Sequence, residues 1–159
     1  MSFVTDEAAF GLDRRDGALV IGGVDCRRFL EQHDSAYVYD LNRVRRQVDA
    51  LSVLPSGVSV HYALKANPAL ALVRFLSQLG LGLDVASHGE LLCAQAARHD
   101  MNRTDVTGPA KRPFEIRACV ATGVRFVNVE SLSEAQTVSD AAVDLRQRQD
   151  VLLRVNTSF

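Results

Sequence analysis

The chain has 159 residues, of which 47% are hydrophobic and 23% are charged, a composition typical of a globular domain with a core of its own. Its formal net charge of -1 predicts no general attraction to nucleic acid or to an anionic membrane. No apolar run approaches the ~20 residues of a membrane span, and the opening residues carry Asp6 and Glu7 without a basic residue, unlike a signal peptide.

The first 36 residues differ in pattern from the rest of the chain. They contain four glycines and a short apolar stretch at 18–21. We expect one or two strands here and a short helix around Cys26 to Glu31. We therefore interpret residues 1–36 as an N-terminal extension to the domain that follows.

From Tyr37 onward, predicted helices and strands alternate. Asn67, Pro68 and Gly80 mark one helix by an N-cap, a proline at the first helical position and a glycine past the end. The predicted helices cover 41–53, 68–79, 88–98, 113–122 and 132–148. The predicted strands cover 58–66, 81–86, 103–107, 125–130 and 151–156. This alternation predicts βαβ units and a parallel sheet, as an open doubly wound sheet or as a (β/α)₈ barrel.

The strand pattern favours the barrel. In an open doubly wound sheet, strands are apolar on both faces, whereas these strands alternate apolar residues with small or polar ones. One face then suits a helix layer and the other suits a barrel interior. By this parity Lys65, Asp84 and Arg154 point inward. We predict an α/β fold in which residues 37–159 form a partial TIM barrel with about five of the eight strands.

Lys65 is the first candidate for chemistry, because barrel enzymes place catalytic groups at the carboxyl ends of their strands. An inward lysine among apolar neighbours is partly desolvated, which lowers its pKa. The neutral amine can attack an aldehyde to form a Schiff base, and pyridoxal phosphate uses such a bond. The position alone leaves an alternative open, a plain ion pair between Lys65 and Asp84.

Five short segments, in order, carry a resemblance to a known family. They are YALKAN at 62–67, GLDVASHGEL at 82–91, GPAK at 108–111, NVES at 128–131 and LRVN at 153–156. With the entry segment YVYD at 37–40, they resemble the ornithine/diaminopimelate/arginine decarboxylases, pyridoxal-phosphate enzymes with an alanine-racemase-like barrel. The residues of these segments most closely resemble those of the diaminopimelate decarboxylase branch. Ala110 departs from the pattern, since the family usually has a glycine there.

The resemblance implies roles for three residues. Lys65 would hold pyridoxal phosphate as an imine and later return a proton to the substrate carbon after CO₂ leaves. Asp84 would lie close to Lys65 and tune its charge and orientation. Arg154 would lie near the polar edge of the cofactor ring, with a salt bridge to Asp84 or Glu130 as the alternative.

Four further residues have two interpretations each. The resemblance places Glu90 near the cofactor, but Ser87-x-x-Glu90 is also a capping box. His88 would face the cofactor, although a surface position in the first helical turn is favoured. His61 has inward parity and would line the core, with cofactor contact as the alternative. Lys111 would be a solvated loop lysine, or would meet a substrate carboxylate.

The resemblance also implies parts that this sequence does not contain. They are a histidine that stacks on the ring, a glycine-rich phosphate loop, an acidic partner for the ring nitrogen, and a C-terminal β domain on which residues 1–36 would pack. A complete barrel takes ~250 residues. We therefore expect an N-terminal fragment or a truncated relative that binds cofactor poorly and is inactive alone, with a homodimer as the full-length form.

The predicted function is pyridoxal-phosphate-dependent decarboxylation of diaminopimelate or a related basic amino acid. An amino-acid racemase of related barrel type and a non-catalytic cofactor-binding relative are the alternatives. Cys26, Cys93 and Cys119 are odd in number and widely spaced, which fits neither a disulfide framework nor a zinc site. We therefore expect no metal and a reducing, cytoplasmic location.

Overall fold

The computed structural model describes residues 12–155 and residue 157. The chain divides between Ser56 and Gly57 into two compact units. Within the described residues, no helix combines the length and the apolar character that crossing a membrane requires. The division at residues 36 and 37 that the sequence suggests stays a prediction.

The first unit contains a small antiparallel sheet and two helices. Its elements are β1 (Leu12–Arg15), β2 (Ala18–Ile21), β3 (Val24–Asp25), α1 (Arg27–Leu30) and α2 (Leu41–Asp49). The Asp40 carboxylate caps α2 by accepting hydrogen bonds from the amides of Asn42 and Arg43. The predicted helix at 41–53 is α2 followed by a 3₁₀ turn, Ala50–Val53, because Pro55 favours extended backbone at Leu54.

The second unit is a five-stranded parallel sheet with strand order β4-β5-β6-β7-β8. Its strands are β4 (His61–Ala63), β5 (Gly82–Val85), β6 (Thr104–Val106), β7 (Phe126–Val129) and β8 (Asp150–Leu153). The helices between them are α3 (Leu70–Gln78), α4 (His88–Ala96), α5 (Pro113–Thr122) and α6 (Leu132–Leu145). The prediction of five parallel strands that alternate with helices is confirmed.

The two faces of the sheet differ as the alternation predicts. One face packs on the helices through fully or nearly fully buried side chains, Leu83, Val85, Val106, Val127 and Val129. The register pairs Ala63 with Asp84, Asp84 with Asp105, and Asp105 with Phe126. The opposite, inner face therefore carries the polar side chains. Burial of the apolar face drives this arrangement, since it removes most of the branched side chains from water.

The start of α3 differs from the prediction. Asn67 is not the N-cap; its side chain accepts a hydrogen bond from the Ala69 amide at 2.9 Å, and α3 begins at Leu70 with Ala69 as the cap residue. This bond spans two residues, a local turn that asparagine favours over continuing helix. A 3₁₀ turn, Leu64–Ala66, precedes it.

The loop between β6 and α5 packs tightly against the end of β5. A Cβ atom at Gly108 would lie only 2.0 Å from the carbonyl oxygen of Ala86, so only glycine allows this approach. Ala110 in the same loop has φ 51°, a left-handed conformation that costs an L-residue roughly 1–2 kcal/mol. The glycine that the family usually has at this position would avoid that cost.

Candidate functional site

Lys65 lies in the 3₁₀ turn that directly follows β4, at the carboxyl end of the sheet. Its side chain is exposed, and among the described residues it forms no ion pair, so the alternative pairing with Asp84 is wrong. The expected desolvation is also absent within this chain. The physical reason is that β4 ends at Ala63, so the pleat of the strand does not carry Lys65 into the interior.

Asp84 lies on the inner face of β5. Its carboxylate accepts a hydrogen bond from the Thr107 hydroxyl at 2.5 Å. Thr107 follows β6 and has the same parity as Asp105, which is paired with Asp84 in register. Sequence reasoning missed Thr107, although this parity was available as a signal. A charge-assisted bond of this kind fixes the direction of the carboxylate.

Arg154 follows β8, and its guanidinium forms an ion pair with Glu130 at 2.9 Å. The salt bridge that the sequence offered as an alternative is therefore present, with Glu130 as the acceptor. The Arg154 amide also donates to the Val129 carbonyl at 3.0 Å, which continues the ladder between the two strands. The guanidinium is thus held at the carboxyl end of the sheet. A contact between Arg154 and the cofactor stays a prediction.

Asn128 lies on the inner face of β7, two residues after Phe126. Its Oδ1 atom is buried and has no hydrogen-bond partner in the described chain. Buried polar atoms without a partner are rare in folded proteins and call for a specific explanation. The residue stands in a segment that the sequence singled out, but no role was predicted for it.

The Lys111 side chain is buried, so the interpretation as a solvated loop lysine is wrong, and a contact with a substrate carboxylate stays a prediction. Its side chain is 5% exposed and forms an ion pair with Glu134, Nζ to Oε1, at 3.1 Å. The Nζ atom also donates to the Gly108 carbonyl at 2.7 Å. Lys111 is therefore a structural residue that ties the loop after β6 to the first turn of α6.

Glu134 and Glu90 occupy equivalent positions at the starts of α6 and α4. The amide of Glu90 donates to Ser87 Oγ at 3.2 Å, and its carboxylate accepts from the Ala86 amide at 2.8 Å. Glu134 repeats both bonds, with the amide of Glu130 as donor at 2.9 Å. The capping interpretation of Glu90 is what these bonds support, and a contact between Glu90 and the cofactor stays a prediction.

His61 belongs to a polar cluster on the inner face. Its Nδ1 atom lies 3.4 Å from the carboxylate of Asp105 and 3.3 Å from the carbonyl oxygen of Leu83. Arg125 binds the same Asp105 carboxylate, with its Nε at 3.1 Å. The imidazole covers Gly82, where an added Cβ would lie 2.5 Å from the ring. His61 therefore lines the interior, as expected, and its contact with the cofactor stays a prediction.

His88 is half-buried rather than fully on the surface. Its ring meets the Phe114 ring edge-on, with centroids 5.5 Å apart, and its Nδ1 atom is buried without a partner among the described residues. A small cavity of about 70 Å³ lies beside it, lined also by Lys111 and Cys119. Burial raises the pKa of the Cys119 thiol to about 11.

The sequence contains only two lysines, and the structure separates them clearly. The Lys111 amine is engaged in an ion pair with Glu134, whereas the Lys65 amine is exposed at the carboxyl end of the parallel sheet. The exposed Lys65 amine fits pyridoxal phosphate, which needs an amine for attachment, and the unpartnered Asn128 oxygen can accept a hydrogen bond from a donor on a ligand. Among residues 12–155, no cluster of three or more His, Cys, Asp or Glu side chains is suited to hold a metal ion.

Comparison with protein families gives one match that covers most of the chain. Residues 41–159 match the model described as "Pyridoxal-dependent decarboxylase, pyridoxal binding domain". The match begins at the first residue of α2 and includes all five strands of the parallel sheet.

Curated proteins and solved structures extend this similarity. A diaminopimelate decarboxylase of Aquifex aeolicus is 32% identical over 146 residues, which are 91% of this chain and 35% of that protein. A 2-[(L-alanin-3-ylcarbamoyl)methyl]-2-hydroxybutanedioate decarboxylase of Staphylococcus aureus is 36% identical over 76% of this chain and 30% of its own length. The crystal structure of diaminopimelate decarboxylase from Methanocaldococcus jannaschii superposes with a TM-score of 0.81 at 27% identity, over 92% of this chain and 36% of that one. The chain thus spans about a third of the length of these relatives, and its parallel sheet matches their barrel domain.

Proposed function

Because the chain belongs to the pyridoxal-dependent decarboxylase family through its pyridoxal-binding domain, we propose that it forms the first part of an amino-acid decarboxylase that attaches pyridoxal phosphate at Lys65. The single observation that carries this proposal is the contrast between the two lysines. Lys65 is exposed at the carboxyl end of the sheet, and Lys111 is buried in an ion pair. One amine of the pair is therefore available for attachment.

When bound, pyridoxal phosphate supplies an aldehyde for amines and a ring that accepts the electron pair of the broken bond to the carboxylate. The residues of this chain would bind the cofactor and set the charge around it. Lys65 Nζ would provide the attachment point, and its free amine would hold a proton for delivery to the substrate carbon. Asp84, fixed by Thr107, supplies a negative charge on the same inner face.

Arg154 and Asn128 are the other residues that we propose for cofactor binding. The ion pair with Glu130 restrains the Arg154 guanidinium, while leaving N–H donors free for a ligand. Asn128 offers a buried amide whose oxygen has no partner in the described chain. His61, Glu90 and His88 belong to the same proposal, although each already makes contacts within the fold.

The proposed substrate is diaminopimelate or another basic amino acid. The similarity to several diaminopimelate decarboxylases favours diaminopimelate. The Staphylococcus aureus relative carries a different substrate in its name at comparable identity, so similarity over this third of the enzyme leaves the substrate a proposal. A homodimer and a cytoplasmic location belong to the same proposal.

Reductive trapping tests the attachment. The chain is mixed with pyridoxal phosphate, treated with borohydride and digested, and the modified peptide is identified by mass spectrometry. We expect the added mass on the peptide that contains Lys65, no trapping in Lys65→Ala, and retained trapping in Lys111→Met. Modification of Lys111 instead, or equal trapping in Lys65→Ala, would overturn the proposal.

The reaction type needs a separate measurement. Pyridoxal phosphate and single amino acids are added to the full-length protein, and both CO₂ release and optical rotation are followed. Release of CO₂ from diaminopimelate indicates decarboxylation, whereas loss of optical rotation without CO₂ indicates a racemase. The 159-residue chain alone is expected to trap cofactor weakly and to show no robust turnover, since it spans about a third of the length of its relatives.

A further inference from the structure

A groove of about 640 Å³ lies at the other end of the sheet from Lys65, between the carboxyl ends of α3 and α4. Its polar lining consists mainly of Arg74, Ser77, Arg98, His99, Asp100 and Arg103. We call it the arginine groove. Three guanidinium groups face one carboxylate here, although the chain as a whole has a net charge of -1. The positive charge is therefore a local feature of this surface.

Two of the arginines are held in place by backbone carbonyl groups. Arg74 Nη2 donates to the Ala96 carbonyl at 3.1 Å, and Arg103 Nη2 donates to the Gly80 carbonyl. Each such bond occupies one of the five N–H donors of a guanidinium and orients its plane. Arg98 follows α4 in a left-handed conformation with φ 58°, and no partner for its side chain is found in the described residues. The three side chains therefore keep free donors beside the groove.

Arginines near helix ends often serve only to neutralise the negative ends of helix dipoles. Here Arg74 does so for the Ala96 carbonyl at the end of α4, and backbone amides bind further terminal carbonyls. The Leu81 amide donates to Leu76 at the end of α3, and the His99 amide donates to Ala94 at the end of α4. The carboxylate of Asp100 accepts from the Asn102 amide at 3.1 Å. Helix capping therefore leaves most of the guanidinium donors unused.

His99 adds a neutral polar wall. It is 8% exposed, and its Nδ1 atom lies 2.8 Å from Ser77 Oγ. Burial lowers the pKa of the imidazole, so at neutral pH His99 contributes polarity without a further charge. The groove then carries three positive charges and one negative charge beside the buried side chains of Ala97 and His99.

We propose that the arginine groove binds a small anion with two or more phosphate groups. Planar guanidinium forks match the oxygen atoms of phosphate in bidentate hydrogen bonds, and a groove of this volume lies within the range of about 300–1,000 Å³ typical of small-molecule sites. Because the groove lies at the amino ends of the strands, the proposal is independent of the cofactor site at Lys65.

Calorimetric titration of inorganic pyrophosphate into the 159-residue chain tests this site, with citrate as a carboxylate probe of similar charge. We expect saturable binding of one pyrophosphate, weaker binding of citrate, and loss of affinity as salt rises. Arg74→Gln and Arg98→Asn should each weaken pyrophosphate binding about tenfold, since each removes charge-assisted hydrogen bonds. Asparagine is chosen at position 98 because it tolerates the left-handed backbone.

Two control variants separate this site from general charge and from the cofactor site. Arg117→Gln removes an exposed arginine of α5 that pairs with Asp144, and Lys65→Ala removes the attachment point. Both should bind pyrophosphate as the unmodified chain does. Absence of saturable binding, equal affinity for citrate, or no loss in Arg74→Gln and Arg98→Asn would overturn the proposal. Since both arginines are exposed, either variant alone carries the test.

Discussion

The two lysines both follow strands of the parallel sheet, Lys65 after β4 and Lys111 after β6, yet their surroundings are opposite. Lys65 follows β4 in a tight 3₁₀ turn and is exposed. Lys111 follows β6 in a loop that packs on β5, and its side chain is 5% exposed against Glu134. The position after a parallel strand therefore does not decide whether a lysine is reactive. The path of the loop and a carboxylate on a neighbouring helix decide it.

Amine reactivity measures this contrast directly. With a small amine-reactive ester in excess, we expect Lys65 to be acylated about a hundredfold faster than Lys111 or more, since Lys111 reacts only after the loop opens. Peptide mass spectrometry over a time course gives both rates in one sample. In denaturant the two rates should converge. Comparable rates in the folded chain would contradict the buried ion pair.

Removal of the buried acceptor should have the largest effect on stability. Glu134→Ala leaves the Lys111 ammonium buried without a counter-ion and is expected to lower the free energy of unfolding by about 3–5 kcal/mol. Lys65→Ala, a surface change, should alter it by less than about 0.5 kcal/mol. Urea unfolding followed by circular dichroism compares them. Lys111→Met should cost less than Glu134→Ala, because the backbone amides of Glu130 and of residue 111 still donate to the Glu134 carboxylate. A loss below about 0.5 kcal/mol in both variants would be inconsistent with a buried pair.

The close packing of the β6–α5 loop on the end of β5 gives the next largest effect on stability. Gly108→Ala places a methyl group against the Ala86 carbonyl, where the Cβ would lie 2.0 Å from the oxygen. We expect a loss of about 2–3 kcal/mol from the forced backbone shift. Gly89→Ala is the matched control, because a Cβ there meets no atom closer than 3.9 Å and alanine favours the helix. Equal stabilities of the two variants would refute the tight approach at Gly108.

The smallest effect concerns backbone strain in the same loop. Ala110→Gly should raise the free energy of unfolding by about 0.5–1 kcal/mol, because glycine adopts the left-handed conformation without strain but gains entropy when unfolded. Ala121→Gly, on an exposed position of α5, should instead lower it by about 1 kcal/mol. Both values come from thermal or urea unfolding. A loss of stability in Ala110→Gly would speak against strain at this position.

The fold was largely predictable because its signals are local. Pro113 and Gly123 bound α5 within one residue of the prediction, since a proline at the first helical position and a left-handed glycine past the end act where they stand. The inner and outer faces of the strands followed from alternation alone. Local rules failed at Asn67, where a turn within two residues competes with a helix cap.

The candidate site was predictable in its residues but less so in their contacts. Lys65, Asp84 and Arg154 all lie at or near the carboxyl end of the sheet, as expected, but Lys65 is exposed and does not point inward as strand parity predicted. The partner of Lys111 stands 23 positions further along the chain, and its burial depends on the close approach of Gly108 to Ala86. Such contacts between separate βαβ units arise from packing, which no single segment encodes. Thr107 was missed although its parity with Asp105 was available, and Asn128 was missed because no pattern in the sequence marks a buried oxygen that lacks a partner.

The packing of the His61 ring over Gly82 constrains which amino-acid substitutions this sequence can accept during evolution. Any larger residue at position 82 must displace an imidazole that Asp105 and Leu83 also hold. A replacement at 82 is therefore tolerated only after His61 has become smaller, whereas His61 can change first at the cost of a void. The order of substitution matters, and the two positions should vary together among descendants of this sequence.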